Sequence, residues 1–292
     1  MIGVLYESEE WSDYYLAAKI AEYGIPVRLI NMELEGSISQ AMECTLLVSR
    51  VFASAQFRGH DAALARYEEV ASQAFDAGIA MINSPKAHAV EISKSLACKV
   101  LSGAGLLTPK VYTCASAADV LSEIDGPASD AWEFPLIIKP ECGGRTTATA
   151  IIHDLDEARS FLASLPPQLK MVVQSYARPR YTYLTRIEIV GGTCVLAVKR
   201  SIAPNGLSAY HLGSTYEVYE TPPADVVQAT EKAAAVLGFE VGSFDVVETL
   251  EGPCIIDANS VSNTSPDCTE LFGMDLLAAH AEFIAAYYKE RI

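Results

Sequence analysis

Val241-Gly242-Ser243-Phe244-Asp245-Val246-Val247-Glu248 and Cys254-Ile255-Ile256-Asp257-Ala258-Asn259 are two β-rich runs joined by a Glu251-Gly252-Pro253 turn signal. A turn centred on Glu251 sets Asp245 directly across from Asp257, with Cβ atoms about 5 Å apart. Asn259, two residues on, shares that face. Two opposed carboxylates repel unless a cation or a shared proton relieves them. Carboxylate and amide oxygens with no Cys or His nearby suit a hard ion, and Mg²⁺ held together with substrate phosphates is the usual case. The alternative is a solvated hairpin face carrying two unrelated acids.

Upstream, Thr182 to Val190, a Gly191-Gly192 turn and Thr193 to Arg200 read as another hairpin. Arg186 and Glu188 alternate with Ile187 and Ile189, so one face is polar and the other packs inward. A two-residue loop puts Lys199 on the Arg186 face and Arg200 on the opposite one; a bulge exchanges them. Both are candidates to bind phosphate or carboxylate, against a reading in which one is an edge-strand charge that blocks aggregation. A final apolar helix, Leu276 to Lys289, completes a block from 177 to 292.

The block from 85 to 176 opens with a helix carrying Lys94 and Lys99 that ends at Gly103, Gly105 and Pro109. A strand from Phe134 to Lys139 then leads into Pro140-Glu141-Cys142-Gly143-Gly144-Arg145-Thr146-Thr147 and a second strand, Ala148 to His153. Small residues let backbone N–H groups approach phosphate oxygens, and Lys139 adds a point charge to them. A Gly-Gly pair in a hairpin is otherwise just a turn.

Residues 1 to 84 alternate strand and helix into a small parallel sheet, with Asn83-Ser84-Pro85 as the break. The turn after its first strand is Glu-Ser-Glu-Glu, not a glycine-rich dinucleotide fingerprint, so a nicotinamide enzyme is not expected. The 292 residues carry a formal charge of −16 and the pI is near 4.7, which argues against nucleic-acid or anionic-membrane partners. Seven scattered cysteines with no C-x-x-C pair read as reduced, buried thiols. The short apolar start followed by Glu7, Glu9 and Glu10 reads as neither signal peptide nor spanning helix, so a cytoplasmic location is expected.

The order of these pieces resembles the ATP-grasp fold. Lys94 lies on a helix, Lys139 before a glycine loop, Gln174-Ser175-Tyr176 at a strand end, then Arg186, Lys199-Arg200 and Asp245…Asp257-x-Asn259. The likeness is to RimK-like carboxylate–amine ligases, including those that attach amino acids in lysine and arginine biosynthesis, and it covers nearly the whole chain. It implies an α/β fold: an N-terminal parallel domain (1–84) followed by two α+β subdomains clasping ATP, a lid (85–176) and a larger one with the metal site (177–292).

The resemblance implies that Lys94 and Lys139 contact ATP phosphates beneath a mobile 142–147 lid containing Gly143 and Gly144. Gln174, Ser175, Tyr176 and Ala177 would form the adenine hinge. Arg186, with Arg200 or Lys199, would face the transferred phosphoryl group, and Asp245, Asp257 and Asn259 would hold one or two Mg²⁺ ions, with Mn²⁺ as an alternative. The family often has Glu at position 257. Ser175 and Leu184 stand where relatives carry acids that help bind adenine and ribose. After Asn259 the run Ser-Val-Ser-Asn-Thr-Ser-Pro resembles the amino-acid-biosynthesis branch more than the glutamate-adding one.

The expected activity is ligation of a small-molecule carboxylate to an amine, one partner being an amino acid, through an acyl phosphate with release of ADP. No nucleophilic side chain is needed, so Cys142 is expected to be a lid residue. Arg50 and Arg58, leaving the first sheet's edge, are candidates for a substrate carboxylate, and His211 and Ser260 for orienting substrate. A homo-oligomer is compatible with the sequence. The other readings are a nucleotide-binding relative without catalysis and a ligase acting on a carrier or ribosomal protein tail.

Overall fold

The computed structural model describes residues 1–144, 146–262 and 264–291; Arg145 of the glycine loop and Asn263 of the run after Asn259 lie outside the described residues. Strands β1 (Ile2–Tyr6), β2 (Val27–Asn31), β3 (Leu46–Arg50) and β4 (Ala80–Ile82) form a parallel sheet in the order β2-β1-β3-β4. β1 and β3 are buried along their whole length, as near-continuous apolar strands covered on both faces must be. One face, with Ile2, Val4, Leu46 and Val48, packs on helix Trp11–Ala21 and on the final helix Leu276–Arg291. The other, with Leu5 and Leu47, packs on helix Asp61–Ala77.

β5 (Val111–Ser116), β6 (Leu136–Pro140), β7 (Ala150–Ile152) and β8 (Lys170–Ser175) make an antiparallel sheet in the order β5-β8-β6-β7. Its apolar face closes on helices Ala117–Glu123 and Leu155–Ala163, giving this layer a core of its own. β9 (Tyr183–Val190), β10 (Thr193–Ser201), β11 (Tyr216–Val218), β12 (Val241–Glu248) and β13 (Pro253–Asn259) form the third sheet, antiparallel in the order β11-β10-β9-β12-β13. Helices Pro85–Glu91, Lys94–Gly103 and Ala224–Leu237 supply Ala87, Leu101 and Ala233 to the core beneath it. The helix bearing Lys94 therefore packs on the third sheet.

The first and third sheets are joined at Asn83. Its buried amide donates to the carbonyls of Val241 (2.7 Å) and Ser260 (2.8 Å) and accepts from the N–H groups of Glu240 and Val241 (both 2.9 Å). Val190 and Val241 share a core with the first sheet. A buried amide with its hydrogen bonds satisfied at both ends fixes two layers in one orientation. Among the described residues no helix is long and apolar enough to cross a membrane.

Candidate active site

A cleft of about 510 Å³ opens between the second and third layers, and Phe52, Ala53 and Ser54 of the first layer close one end. The β12–β13 hairpin lies along it in the expected register: Asp245 pairs with Asp257 and Ser243 with Asn259. A bulge follows Asp245, re-aiming the strands at the cleft. Cations relieve the opposed carboxylates. The Arg200 Nη1 group donates to both Asp245 oxygens at 2.9 Å, and Arg186, directly across on β9, reaches Oδ1 at 3.3 Å. Burial opposes ionisation of Asp245, but Arg200 and Arg186 more than offset it and hold the carboxyl below the usual range. Arg186 also donates from Nε to Glu188 at 2.7 Å, so its fork is held on two sides.

Arg200 reaches this face because β10 carries a bulge between Cys194 and Leu196. Val198 then pairs with Arg186, which puts Arg200 on the Arg186 face and Lys199 on the reverse. The expected placement of Lys199 is corrected accordingly: its ammonium sits 4.5 Å from the Tyr219 ring centroid, 5.3 Å from that of Tyr183 and 3.7 Å from Glu217, outside the cleft.

Lys94 and Lys139 both line the cleft and are each only 8% exposed. Lys94 donates to Gly143 O at 2.6 Å and Lys139 to Ile256 O at 3.0 Å. An ammonium has three N–H donors, so each lysine keeps capacity for an anion. Burial pulls the Lys139 pKa down, with Asp257 opposing it. Buried cations of this kind need anionic partners, and phosphate fits.

Gln174, Ser175, Tyr176 and Ala177 line the same cleft. Gln174 donates to Cys98 Sγ at 3.2 Å while its buried Oε1 has no partner, and Ser175 Oγ accepts from Lys110 N at 2.9 Å. An orphaned amide oxygen at the wall of a cleft is a place where a hydrogen-bonding ring can dock.

Gly143 and Gly144 also line the cleft. At Gly143, φ is +128°, and a Cβ there would lie 2.4 Å from the Phe57 ring, so only glycine fits. Gln56 Nε2 donates to Cys142 O at 2.6 Å, tying the loop to the first layer. The Cys142 thiol donates to Ala53 O, and burial pushes its pKa up to about 11, which suits a packing residue and not a nucleophile. His211 is 3.2 Å from Thr146 across the cleft.

Three sequence candidates are placed elsewhere. Arg50 is buried against Asp13 (2.9 Å), Ser12 (2.7 Å) and the Ser262 carbonyl (3.2 Å). Arg58 pairs with Glu7, with Glu10 at 2.7 Å and with Ser8 at 2.9 Å. Acids at the end of β1 and on the helix after it neutralise both arginines, leaving no fork for a substrate carboxylate. Ser260 gives its N–H and hydroxyl to Glu91 and does not line the cleft. Glu91 does line it, and sequence reading passed over it; Glu188, set on the polar face with Arg186 by the sequence, accepts from the Arg186 Nε group. Spacing offered one signal for Glu91, which follows Ala87 and His88 by helical steps onto their buried face.

Among the described residues no three His, Cys, Asp or Glu side chains are grouped to hold a metal. The donor set is instead Asp245, Asp257 and the amide of Asn259, whose Nδ2 is buried without a partner. Asp257 takes part in no salt bridge among the described residues, unlike Asp245. Two carboxylates and a carboxamide oxygen, one of the carboxylates outside any salt bridge, make an all-oxygen set that fits Mg²⁺ carried in with phosphates.

A family profile for the RimK-like ATP-grasp domain matches residues 92–284. A protein named "Probable alpha-L-glutamate ligase" from Aeromonas salmonicida is 25% identical over 73% of this chain and 68% of its own length. One of the same name from Desulfotalea psychrophila is 26% identical over 66% of this chain, but only 41% of its own length is covered. The fold is shared with the RimK domain protein ATP-grasp of Sphaerobacter thermophilus, at a TM-score of 0.69 and 17% identity over 97% of this chain and 98% of that one. With the profile covering well over half its length, the chain belongs to the RimK-like ATP-grasp family.

Proposed function

We propose that the protein is an ATP-dependent carboxylate–amine ligase that forms an amide through an acyl phosphate, with an amino acid as one substrate. The observation that carries this is the set of cations around one cleft. Lys94 and Lys139 line it with donors to spare, and Arg186 and Arg200 converge there with Asp245. ATP with Mg²⁺ supplies the phosphoryl group that turns a carboxylate oxygen into a leaving group. Lys94 and Lys139 hold phosphate oxygens, Asp257 and Asn259 with Asp245 hold the ion, and Gln174 to Ala177 frame the base. Arg186, fixed by Glu188 and Asp245, meets charge developing on the transferred group without having to reorganise. The 142–147 loop, docked on Phe57 and Gln56, excludes water that would hydrolyse the activated acyl group.

The glutamate-ligase name of the relatives supports an amino acid as substrate. Closure of the cleft by Phe52, Ala53 and Ser54 favours a small amine over a protein tail. A cytoplasmic location and the division at residues 84 and 176 belong to the same proposal. The test is hydroxylamine trapping over pooled carboxylates, run beside calorimetric titration of a non-hydrolysable ATP analogue. Hydroxamate with analogue binding supports the ligase; binding without hydroxamate from any carboxylate assigns a nucleotide-binding module in which Ser175 and Leu184 replace needed acids.

A further inference from the structure

The cleft's charges are unevenly committed. Its described cations, Lys94, Lys139, Arg186 and Arg200, belong to the phosphate and acyl side. Of its carboxylates, Asp245 is taken by two arginines, and Asp257 faces Lys139 and the candidate ion. Glu91 is the third. It is 6% exposed and accepts the Ala53 N–H on one oxygen (3.2 Å) and the Ser260 N–H (3.0 Å) and hydroxyl on the other. Among the described residues no cation pairs with it. The wall around it is Phe52, Ala53, Ser54 and Val261, and the nearby arginines, Arg50 and Arg58, are turned into Asp13, Glu7 and Glu10.

A substrate carboxylate docking against Glu91 would meet an acid that forms no salt bridge among the described residues. An ammonium would meet a buried acid whose two oxygens offer about four lone-pair positions, three of them used. On the reading of the protein as a ligase, we infer that Glu91 is the seat of the amine substrate's ammonium group, and that the amine is accordingly a cationic primary amine such as an amino acid. Burial raises the Glu91 carboxyl to about 7 against the lowering by its hydrogen bonds, with a smaller upward push from Asp257, which places this seat near the hairpin acids. A bound ammonium offsets both influences and keeps Glu91 ionised; for attack on the acyl phosphate one ammonium proton passes to the Glu91 carboxylate, freeing the nitrogen lone pair, and phosphate leaves as the C–N bond forms. The Ser260 and Ala53 hydrogen bonds fix the carboxylate's direction, which makes Ser260 a positioning residue acting through Glu91.

The experiment compares two nucleophiles on the same enzyme: hydroxylamine, uncharged near neutral pH, and a pool of the common L-amino acids, which carry an ammonium. In Glu91→Gln the ratio of kcat/KM for the amino-acid pool to that for hydroxylamine should fall about 10- to 100-fold, as for loss of a hydrogen bond to a charged group. The fall should appear in the KM of the amine. Glu91→Asp should recover part of it by keeping the charge. If both nucleophiles lose rate equally, or neither does, the ratio is unmoved and the inference is overturned, Glu91 then serving only to tie residue 53 to residue 260. Wild-type enzyme that yields no hydroxamate at all overturns the ligase reading itself, a result visible before any substitution is made.

Discussion

Arg50, at the end of the interior strand β3, with Arg58 in the turn after it, and Arg186 and Arg200, on the third sheet, are all ion-paired and mostly withdrawn from water. They differ in what lies beyond the pair. Arg50 spends its fork on Asp13, Ser12 and the Ser262 carbonyl, all protein groups. Arg186 and Arg200 close on Asp245 at the wall of a cavity, so their pairing sets a direction toward a ligand. Pairing alone therefore does not distinguish the two sets; an open volume on the far side of the pair does.

The sharpest break in this comparison is methionine at each position. Arg186→Met should leave binding of an ATP analogue within a few-fold, by calorimetry, yet cut turnover by two or more orders of magnitude, because its contacts tighten as charge develops. Arg186→Lys should recover only part. Arg50→Met should do the reverse: the folded fraction keeps its turnover within a few-fold, while denaturant titration shows a loss of about 3–5 kcal/mol from stranding Asp13. Equal loss of turnover in both would erase the distinction.

The hairpin acids sharpen it further. Asp245→Ala and Asp257→Ala should both abolish ADP formation. Asp245→Ala should also lower stability by about 3–5 kcal/mol, since it leaves the enclosed Arg200 guanidinium without a carboxylate and Arg186 with Glu188 alone, whereas Asp257→Ala should melt near the wild-type temperature. Cross-strand repulsion alone would have made both substitutions harmless to the fold; the guanidinium pair on Asp245 separates them.

His88 provides a buried group with no pair at all. Both ring nitrogens lack partners, and burial drops its pKa from 6.5 to about 4. The unfolded chain then takes up the proton first. The stability from keeping His88 neutral is complete above pH 6.5 and is lost as pH falls toward 4. His88→Leu should remove that dependence, worth on the order of 3 kcal/mol across the window, read as a flatter plot of unfolding free energy against pH. The smallest effect belongs to Lys199→Ala, where turnover should stay within about twofold because the side chain lies on the reverse of the sheet.

The Asp245–Asp257 pairing came out of a turn centred on Glu251, but the turn end pairs Glu248 with Pro253, half a step away, and the bulge after Asp245 is what brings the two acids opposite each other; that bulge was not legible. Lys94, Lys139 and Gln174 to Ala177 were legible through order along the chain. Whether Lys199 or Arg200 faced the cleft was not, since one extra residue near Val195 inverts every later side chain. Arg50 and Arg58 were misplaced for a different reason: their partners, Asp13, Glu7 and Glu10, come from a neighbouring strand end and helix, and no local spacing records that meeting. Similarly, the apolar character of Leu276–Arg291 said that it was covered, but not that the first sheet would cover it.

Asn83 has a mechanical consequence. With the first and third sheets bolted together through it and sharing Val190 and Val241 in one core, they form a frame, while the β5–β8 layer keeps a separate core. Across the cleft, frame and flap are joined by hydrogen bonds, Gln56 to Cys142, Lys94 to Gly143, Lys139 to Ile256 and Thr146 to His211, beside the close approaches of Phe57 to Gly143 and Ile151 to Gly206. Hydrogen bonds exchange with water at little net cost, so a swing of the jaw would trade these contacts for solvent while leaving both cores dry.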